Sequence, residues 1–252
     1  MRPLLLLLLL GCGPKRAPKS QGPLPTADAL FARNLEAIGG PAALKRANYV
    51  AYGTLSMPKQ GLSGTIEVRV VCPDQNLTLS TVPGIGAMQT GVLGSVGWAT
   101  DQLMGPRLMG DKQATQTRRS THCEVPARWA EDYPQRETKA AEKFDDKDTF
   151  RVEAVGTEGL EHVFWFDAAT GHIVAQRDQM ASEMGTMPVT STFEDFRAIG
   201  GLVQPMRVTQ KMGPISMVIQ LDRVETDLAT PPDLQPPPEV LSLLPAAPGA
   251  TP

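Results

Sequence analysis

Two spacings of hydrophobic residues divide this chain, a short stretch with a period near 3.6 and a long remainder with a period of two. Leu30, Phe31, Leu35 and Ile38 share one helical face, behind Thr26 as a capping residue and ahead of the stop Gly39-Gly40. Pro41 then opens a second short helix reaching Arg46. Beyond it the alternation becomes strict. Ile66, Val68 and Val70 alternate with Thr65, Glu67 and Arg69, and Met206 and Val208 with Arg207 and Thr209. Ile215, Met217, Ile219 and Leu221 alternate with Ser216, Gln220 and Asp222. A period of two with one polar face predicts antiparallel strands that bury a single side.

About eleven strands are expected, at 50–57, 64–71, 77–82, 87–91, 97–102, 137–144, 149–155, 161–167, 173–181, 188–199 with 202–212, and 215–226. Asp167-Ala168-Ala169-Thr170-Gly171 and Gly200-Gly201 supply tight reversals between them. So large a sheet must curl. The stripe from Ile66, Val68 and Val70 through Met206 and Val208 to Met217, Ile219 and Leu221 then lines its concave side. That stripe is either core beneath helices or, in part, the wall of a lipid cavity. Strand 161–167 is different, because Phe164 and Phe166 lie on one side and Val163 and Trp165 on the other, so both faces need cover. The polar segment 110–129, interrupted by Pro126, is expected to lay short helices or a loop across the open side.

The two ends read differently from the middle. Leu4 to Leu10 form an apolar run behind Arg2, too short to cross a bilayer and closing on Gly11-Cys12. Residues 1–11 are therefore expected to be a bacterial lipoprotein leader, with Cys12 as the lipidated first residue of the mature chain. The lipobox pattern implies a diacylglycerol thioether on that cysteine and a further acyl chain, such as palmitate, on its nitrogen. Leu10 stands where a small residue is usual, and the alternative is an ordinary signal peptide with Cys12 a chance residue. Gly13, in place of an aspartate, favours passage to the outer membrane. Residues 12–25 carry Lys15, Arg16 and Lys19 among prolines and glycines and read as a flexible tether beside anionic headgroups. The folded domain spans 26–229. From Thr230 onward eight of 23 residues are proline, and this tail is expected to be disordered.

Composition narrows the chemistry. A net charge of −3 gives no footprint for nucleic acid, and 5 % aromatic residues argue against a carbohydrate platform. Eleven methionines supply flexible, polarisable side chains that suit either core gaps or adaptable apolar cavities. An oxidising periplasm permits a disulfide between Cys72 and Cys123, with two buried free thiols as the alternative. Catalytic constellations are weak. His122 adjoins Cys123 without metal-ligand spacing, His162 and His172 flank the Asp167 turn as expected surface histidines, and Asp145, Asp146 and Asp148 lack the spacing of a calcium loop. No cofactor, no metal and no enzymatic activity are expected.

The block Asn34-Leu-Glu-Ala-Ile-Gly-Gly-Pro-Ala-Ala-Leu44, with Pro83-Gly-Ile-Gly86, Gly97-Trp98 and Met104-Gly-Pro-Arg-Leu108, resembles the outer-membrane lipoprotein-sorting, LolA/LolB-like superfamily. Trp165-Phe-Asp-Ala-Ala-Thr-Gly171 and Thr192-Phe-Glu-Asp-Phe-Arg-Ala-Ile-Gly-Gly201 occupy the places of its repeated hairpins, so that the likeness runs from about Leu30 to Asp227. The resemblance implies α+β architecture, mostly antiparallel β: a half-open barrel of about eleven strands, helices over its concave face, and an apolar cavity that takes acyl chains. On that reading Trp98, Met104, Val208, Met217 and Ile219 are candidate cavity residues. Arg107 either meets a phosphate headgroup or fixes its own turn. Residues 83–96 are either a mobile apolar loop or an ordinary hairpin. The function implied is a membrane-anchored, periplasm-facing lipoprotein that binds an acyl chain, a lipid or the lipid part of another lipoprotein. The alternative is an anchored envelope sensor or scaffold binding a protein partner of unknown identity.

Overall fold

Strands that alternate on one face and are joined by tight turns pair with their chain neighbours, and that local pairing builds nearly the whole molecule. The computed structural model describes residues 22–182 and 185–244. It contains β1 (Asn48–Met57), β2 (Leu62–Val71), β3 (Gln75–Val82), β4 (Gly86–Leu93), β5 (Val96–Asp101), β6 (Arg107–Leu108), β7 (Gln135–Phe144), β8 (Lys147–Val155), β9 (Glu161–Asp167), β10 (Ile173–Ser182), β11 (Gly185–Ile199), β12 (Leu202–Met212) and β13 (Ile215–Thr226). They form one sheet in the order β6-β5-β4-β3-β2-β1-β13-β12-β11-β10-β9-β8-β7. All pairings among the described strands are antiparallel, and β1 with β13 joins the two meanders. The predicted class holds, with thirteen strands among the described residues in place of about eleven. The two-residue β6 is too short to carry a period, and β11 and β12 are separate strands turning at Gly200-Gly201.

The first helix, α1 (Ala27–Ala37), starts where expected, with Thr26 Oγ1 accepting a hydrogen bond from Ala29 N at 3.2 Å. Its Phe31 ring meets Phe164 and Phe166 edge-on, at 5.2 and 5.0 Å between centroids. α2 (Gly40–Ala43) is shorter than predicted and ends before Arg46. β9 is covered on both faces, as its sequence demands. Phe164 and Phe166 lie under α1, while Val163 and Trp165 pack with Phe144 and Phe196 on the outer side. There Trp165 Nε1 donates to Glu142 Oε1 at 2.8 Å.

The polar segment after β6 forms α3 (Asp111–Thr121), followed by α4 (Trp129–Asp132). The position of α3 measures the curl of the sheet. Ala114 packs beneath β5 at Gly97, and Gln116, two residues on, hydrogen-bonds the β10 backbone at Gln179 and Ala181. Eight inter-strand steps separate β5 from β10, about 38 Å if the sheet were flat. A single helix is only about 10–12 Å across. The nine strands β5 to β10 must therefore wrap around until their ends meet α3, which takes the place of a closing strand. Strands β9, β8 and β7 continue past it as a wing packed on α1.

Cys72, after β2, and Cys123, after α3, are joined in a disulfide with 5.7 Å between their Cα atoms. The bond ties the end of α3 to the β2–β3 turn. The C-terminal segment corrects an expectation: its described part is seated on the protein, not free. α5 (Pro238–Leu241) buries Val240 completely against Leu77 and Trp98, Leu234 packs beside them, and Arg69 donates to the Asp233 carbonyl at 3.0 Å. Clustered prolines restrict the chain to extended forms before it docks, which lowers the entropy lost on docking and lets a few aliphatic contacts hold it. The leader, Cys12 and most of the tether lie outside the described residues, as do the last eight residues.

Reduction, or Cys72→Ser with Cys123→Ser, is expected to lower the unfolding free energy by roughly 2–4 kcal/mol in chemical denaturation, given the 51-residue separation. Val240→Ala is expected to cost about 2 kcal/mol, where a free tail gives no change.

Candidate functional site

The inner face of the wrapped strands is read directly from register. Phe193 lies opposite Val208, Val208 opposite Ile219, and Ile219 opposite Leu55, one apolar row across β11, β12, β13 and β1. Leu55, Ile66 and Val82 are buried at its centre, and Val208, Met217 and Ile219 beside them are half-buried. Half-buried aliphatic groups on a concave wall mean that the wall is not filled by its own side chains. Nine strands and a helix also enclose more girth than the eight-stranded barrels whose interiors side chains fill or nearly fill.

One end of this trough is plugged. α1 runs across the strand ends there, with Asn34 Oδ1 accepting from Ile173 N at 3.0 Å, the Ile38 carbonyl accepting from Val203 N at 2.9 Å, and Arg33 donating to the Ala168 and Ala169 carbonyls. The opposite end, where β1, β3, β10 and β12 terminate, carries methionines. Met57, Met88 and Met217 pack on the Leu55 cluster, Met180 stands opposite Met187, and Met212 stands opposite Ile215. Met180, Met187 and Ile215 are exposed. Unbranched thioethers at a mouth adapt to different apolar shapes with little strain.

α3 walls the gap although its sequence is almost wholly polar. Gly97 makes this possible, since a Cβ there would stand 2.9 Å from Met109 Sδ and 3.0 Å from Ala114 Cβ. Gln116 Nε2 donates to the Gln179 carbonyl at 2.7 Å and Gln116 Oε1 accepts from Ala181 N at 2.8 Å, capping backbone beyond the reach of β9. Thr121 accepts from Asn76 Nδ2 at 2.7 Å. Arg118 is half-buried, and its Nε is enclosed with no hydrogen-bond partner among the described residues.

Arg119 anchors the other flank of α3. It donates to both oxygens of Glu158, at 2.5 and 2.7 Å, and lies 3.1 Å from His162 Nε2. His162 is almost fully buried, with Nδ1 2.6 Å from Asp178 and Nε2 2.9 Å from Glu158. Tyr133 stacks against the group from the end of α4, with the Arg119 guanidinium 5.1 Å from its ring. Burial opposes charge on His162, but hydrogen bonds to Asp178 and then Glu158 outweigh it and hold its pKa above the ordinary value. Burial also pushes Glu158 up, yet the hydrogen bonds from His162 and Arg119 prevail and bring it down to about 2. Arg119 and His162 thus meet the carboxylates of Glu158 and Asp178 in one hydrogen-bonded cluster. His162 is therefore not the surface residue that the sequence predicts, since strand parity alone does not reveal that α3 brings an arginine to it.

The predicted site residues separate into two groups. Val208, Met217 and Ile219 lie on the inner wall. Trp98 does not. It pairs with Gly91 and Leu108 on the outer face, where Leu77 and Val240 bury it completely. Its neighbour Gly97 is the inward residue of that strand. Met104, 49 % exposed, sits with the nearly bare Leu103 on the β5–β6 turn. Arg107 fixes that turn, donating to Asp101 Oδ2 at 2.7 Å and to the Gly105 carbonyl at 3.0 Å, so its headgroup role is set aside. Residues 83–96 are a hairpin rather than a loose loop, with Val92 buried and Ile85 and Met88 packed on Val82. Cys123 is spent in the disulfide, which removes the thiolate that a site with His122 needs. His172 stacks on Phe196 at 4.4 Å and does not meet His162. On the outer face of β7 to β10, a pocket of about 400 Å³ is lined mostly by charged residues, among them Glu137, Lys139, Glu153 and Arg177, with Val155 and Val163 between them.

The chain shares its fold with solved structures of low sequence identity, among them a LolA superfamily protein. A LolA superfamily protein from Nitrosomonas europaea superposes with a TM-score of 0.52 at 16 % identity, covering 80 % of this chain and 94 % of that one. A protein of the DUF1329 family from Desulfovibrio piger superposes with a TM-score of 0.56 at 9 % identity, covering 81 % and 94 %. No family model matches the sequence, and no curated protein matches it.

Stability is expected to fall on both sides of a mildly acidic optimum. The share from Glu158 is complete above its unfolded pKa of about 4.5 and is lost as the pH drops toward 2. The share from His162 is complete below its unfolded pKa of about 6.5 and is lost as the pH rises through its raised folded value. His162→Gln is expected to flatten the alkaline limb of urea midpoint against pH; an unchanged limb assigns it to another group.

Proposed function

We propose that this chain is a lipid-anchored protein of the bacterial envelope, held on the periplasmic side of the outer membrane through Cys12, that receives an acyl chain in its half-barrel. The ligand is a lipid or the lipid part of another lipoprotein, and the role is carriage or sorting, without chemistry. One observation carries this reading: an inner wall of half-buried Val208, Met217 and Ile219 leads to a rim of exposed methionines at the unplugged end. Such a surface loses free energy to water until something apolar covers it. A chain of 16 carbons gains about 13 kcal/mol by full transfer at about 0.8 per methylene, so partial burial supports micromolar capture even after ordering costs. Flexible methionines at the entrance suit a ligand whose chain length varies. The lipobox reading of residues 1–12 supplies the membrane, and residues 12–25 supply a tether with Lys15, Arg16 and Lys19 close to the lipid surface.

Protein extracted from membranes in mild detergent is expected to carry acyl lipid in native mass spectrometry. Met187→Asp, which sets a charge on the exposed rim and leaves the Leu55 cluster intact, is expected to weaken binding of a fluorescent fatty-acid probe severalfold with a near-normal melting temperature. An empty wild-type protein that binds no probe overturns the proposal. Cys12→Ser is expected to shift the protein from the membrane to the soluble fraction; persistence in the membrane removes the anchor from the scheme.

A further inference from the structure

The floor of the trough carries an apolar row at Val208, Ile219 and Leu55, with Gln210 and Ser191 beside it, and on its roof one cation has no counterpart. At 100° per residue, Ala114 faces β5 and Arg119 lies 140° further round, facing His162 and Glu158, while exposed Ser120 marks the solvent side. Arg118 and Thr115 fall on the arc between Ala114 and Arg119, opposite Ser120, and so look into the trough. The Arg118 Nε is enclosed without a hydrogen-bond acceptor, and no ion pair or ring contact engages its guanidinium among the described residues. The carboxylates on the elements that α3 bridges have partners of their own. Both oxygens of Glu158 are held by Arg119, Asp178 Oδ1 by His162 and Gln176, and Asp101 by Arg107 and the β5–β6 turn. An enclosed donor left unmade destabilises the empty protein and rewards whatever brings an acceptor to it.

We infer that the ligand is an anionic amphiphile, an acyl chain ending in a carboxylate or a phosphate monoester, and that Arg118 binds its head while the chain lies along Val208, Ile219 and Met217. The inference rests on the acyl-binding reading above and adds to it the charge of the head. A planar guanidinium fork matches two oxygens of either group, so the residue selects a charged head over a hydroxyl of the same length. Arg119 cannot serve, because moving it breaks the cluster that holds α3.

The test is isothermal titration of the mature, delipidated, disulfide-bonded protein with laurate, dodecyl phosphate, dodecanol, acetate and inorganic phosphate. Laurate and dodecyl phosphate are expected to bind about tenfold or more tighter than dodecanol. Arg118→Gln is expected to reduce both to the level of dodecanol and leave dodecanol unchanged, which also reports that the variant is folded. Arg118→Lys is expected to recover part of the preference. Equal affinities of wild-type protein for laurate and dodecanol, or no effect of Arg118→Gln on laurate, overturns the head-group assignment and leaves acyl binding standing. Inorganic phosphate binding as tightly as dodecyl phosphate overturns it in favour of a plain anion site. Failure of all three dodecyl compounds to bind overturns the acyl-binding reading as well.

Discussion

Everything in this molecule depends on how a thirteen-stranded antiparallel sheet deals with its failure to close. Right-handed twist curls so many strands, yet β5 and β10 do not pair, and the gap would leave backbone and inner wall open together. α3 resolves both needs at once. Its side chains supply what a missing strand would supply, most directly where the Gln116 amide takes the place of a peptide group beside Gln179 and Ala181. The closure is built from polar contacts that are specific in position, with the disulfide at one end and the Arg119 cluster along the flank. Apolar packing alone would let a helix slide along a trough. Hydrogen bonds to fixed backbone groups do not.

That choice of glue makes the interior two-sided. The sheet contributes an apolar row at Val208, Ile219 and Leu55, with Met217 beside it and Gln210, Ser191 and Ser80 interspersed, and the helix contributes threonine and arginine. A space with an apolar row on one wall and an unpaired arginine on the other is not a good core, since neither satisfies the other. It is a reasonable container for a molecule with the same division. The plug by α1 and the methionine rim give the container a direction, with the closed end held by Asn34, Ile38 and Arg33 and the open end adaptable. The outer face follows other rules. Trp98, Leu77 and Val240 form a small second core where the C-terminal segment lies down, so burial there reports packing and carries no ligand.

Much of the architecture was legible because it is local. A period of two fixes which residues share a face, and the Asp167 and Gly200-Gly201 turns fix where the chain reverses, so strand bounds at β9, β12 and β13 agree with expectation. Thr26 as a cap and the double cover of β9 follow from the same kind of reasoning. The misreadings share a cause. The resemblance puts Trp98 at the cavity because it flanks the Gly105-Pro106-Arg107 turn, although strand parity places its neighbour Gly97 inside and Trp98 outside. The proline-rich tail was assigned to solvent because its composition is poor in core residues, although Leu234 and Val240 are enough once a groove exists.

The order of alternating residues, by itself, determines a large one-faced antiparallel sheet with a capped helix in front, because strand and helix periods are properties of the backbone. It determines the stock of methionines and the two cysteines, but not their distances. Only the tertiary structure decides that β5 and β10 come within a helix diameter, that Cys72 meets Cys123, that His162 is enclosed among Arg119, Glu158 and Asp178, and that Arg118 is left without an acceptor. Each of these depends on how far the sheet curls, and curl is the sum of small twists over many strands, to which no single residue is a witness.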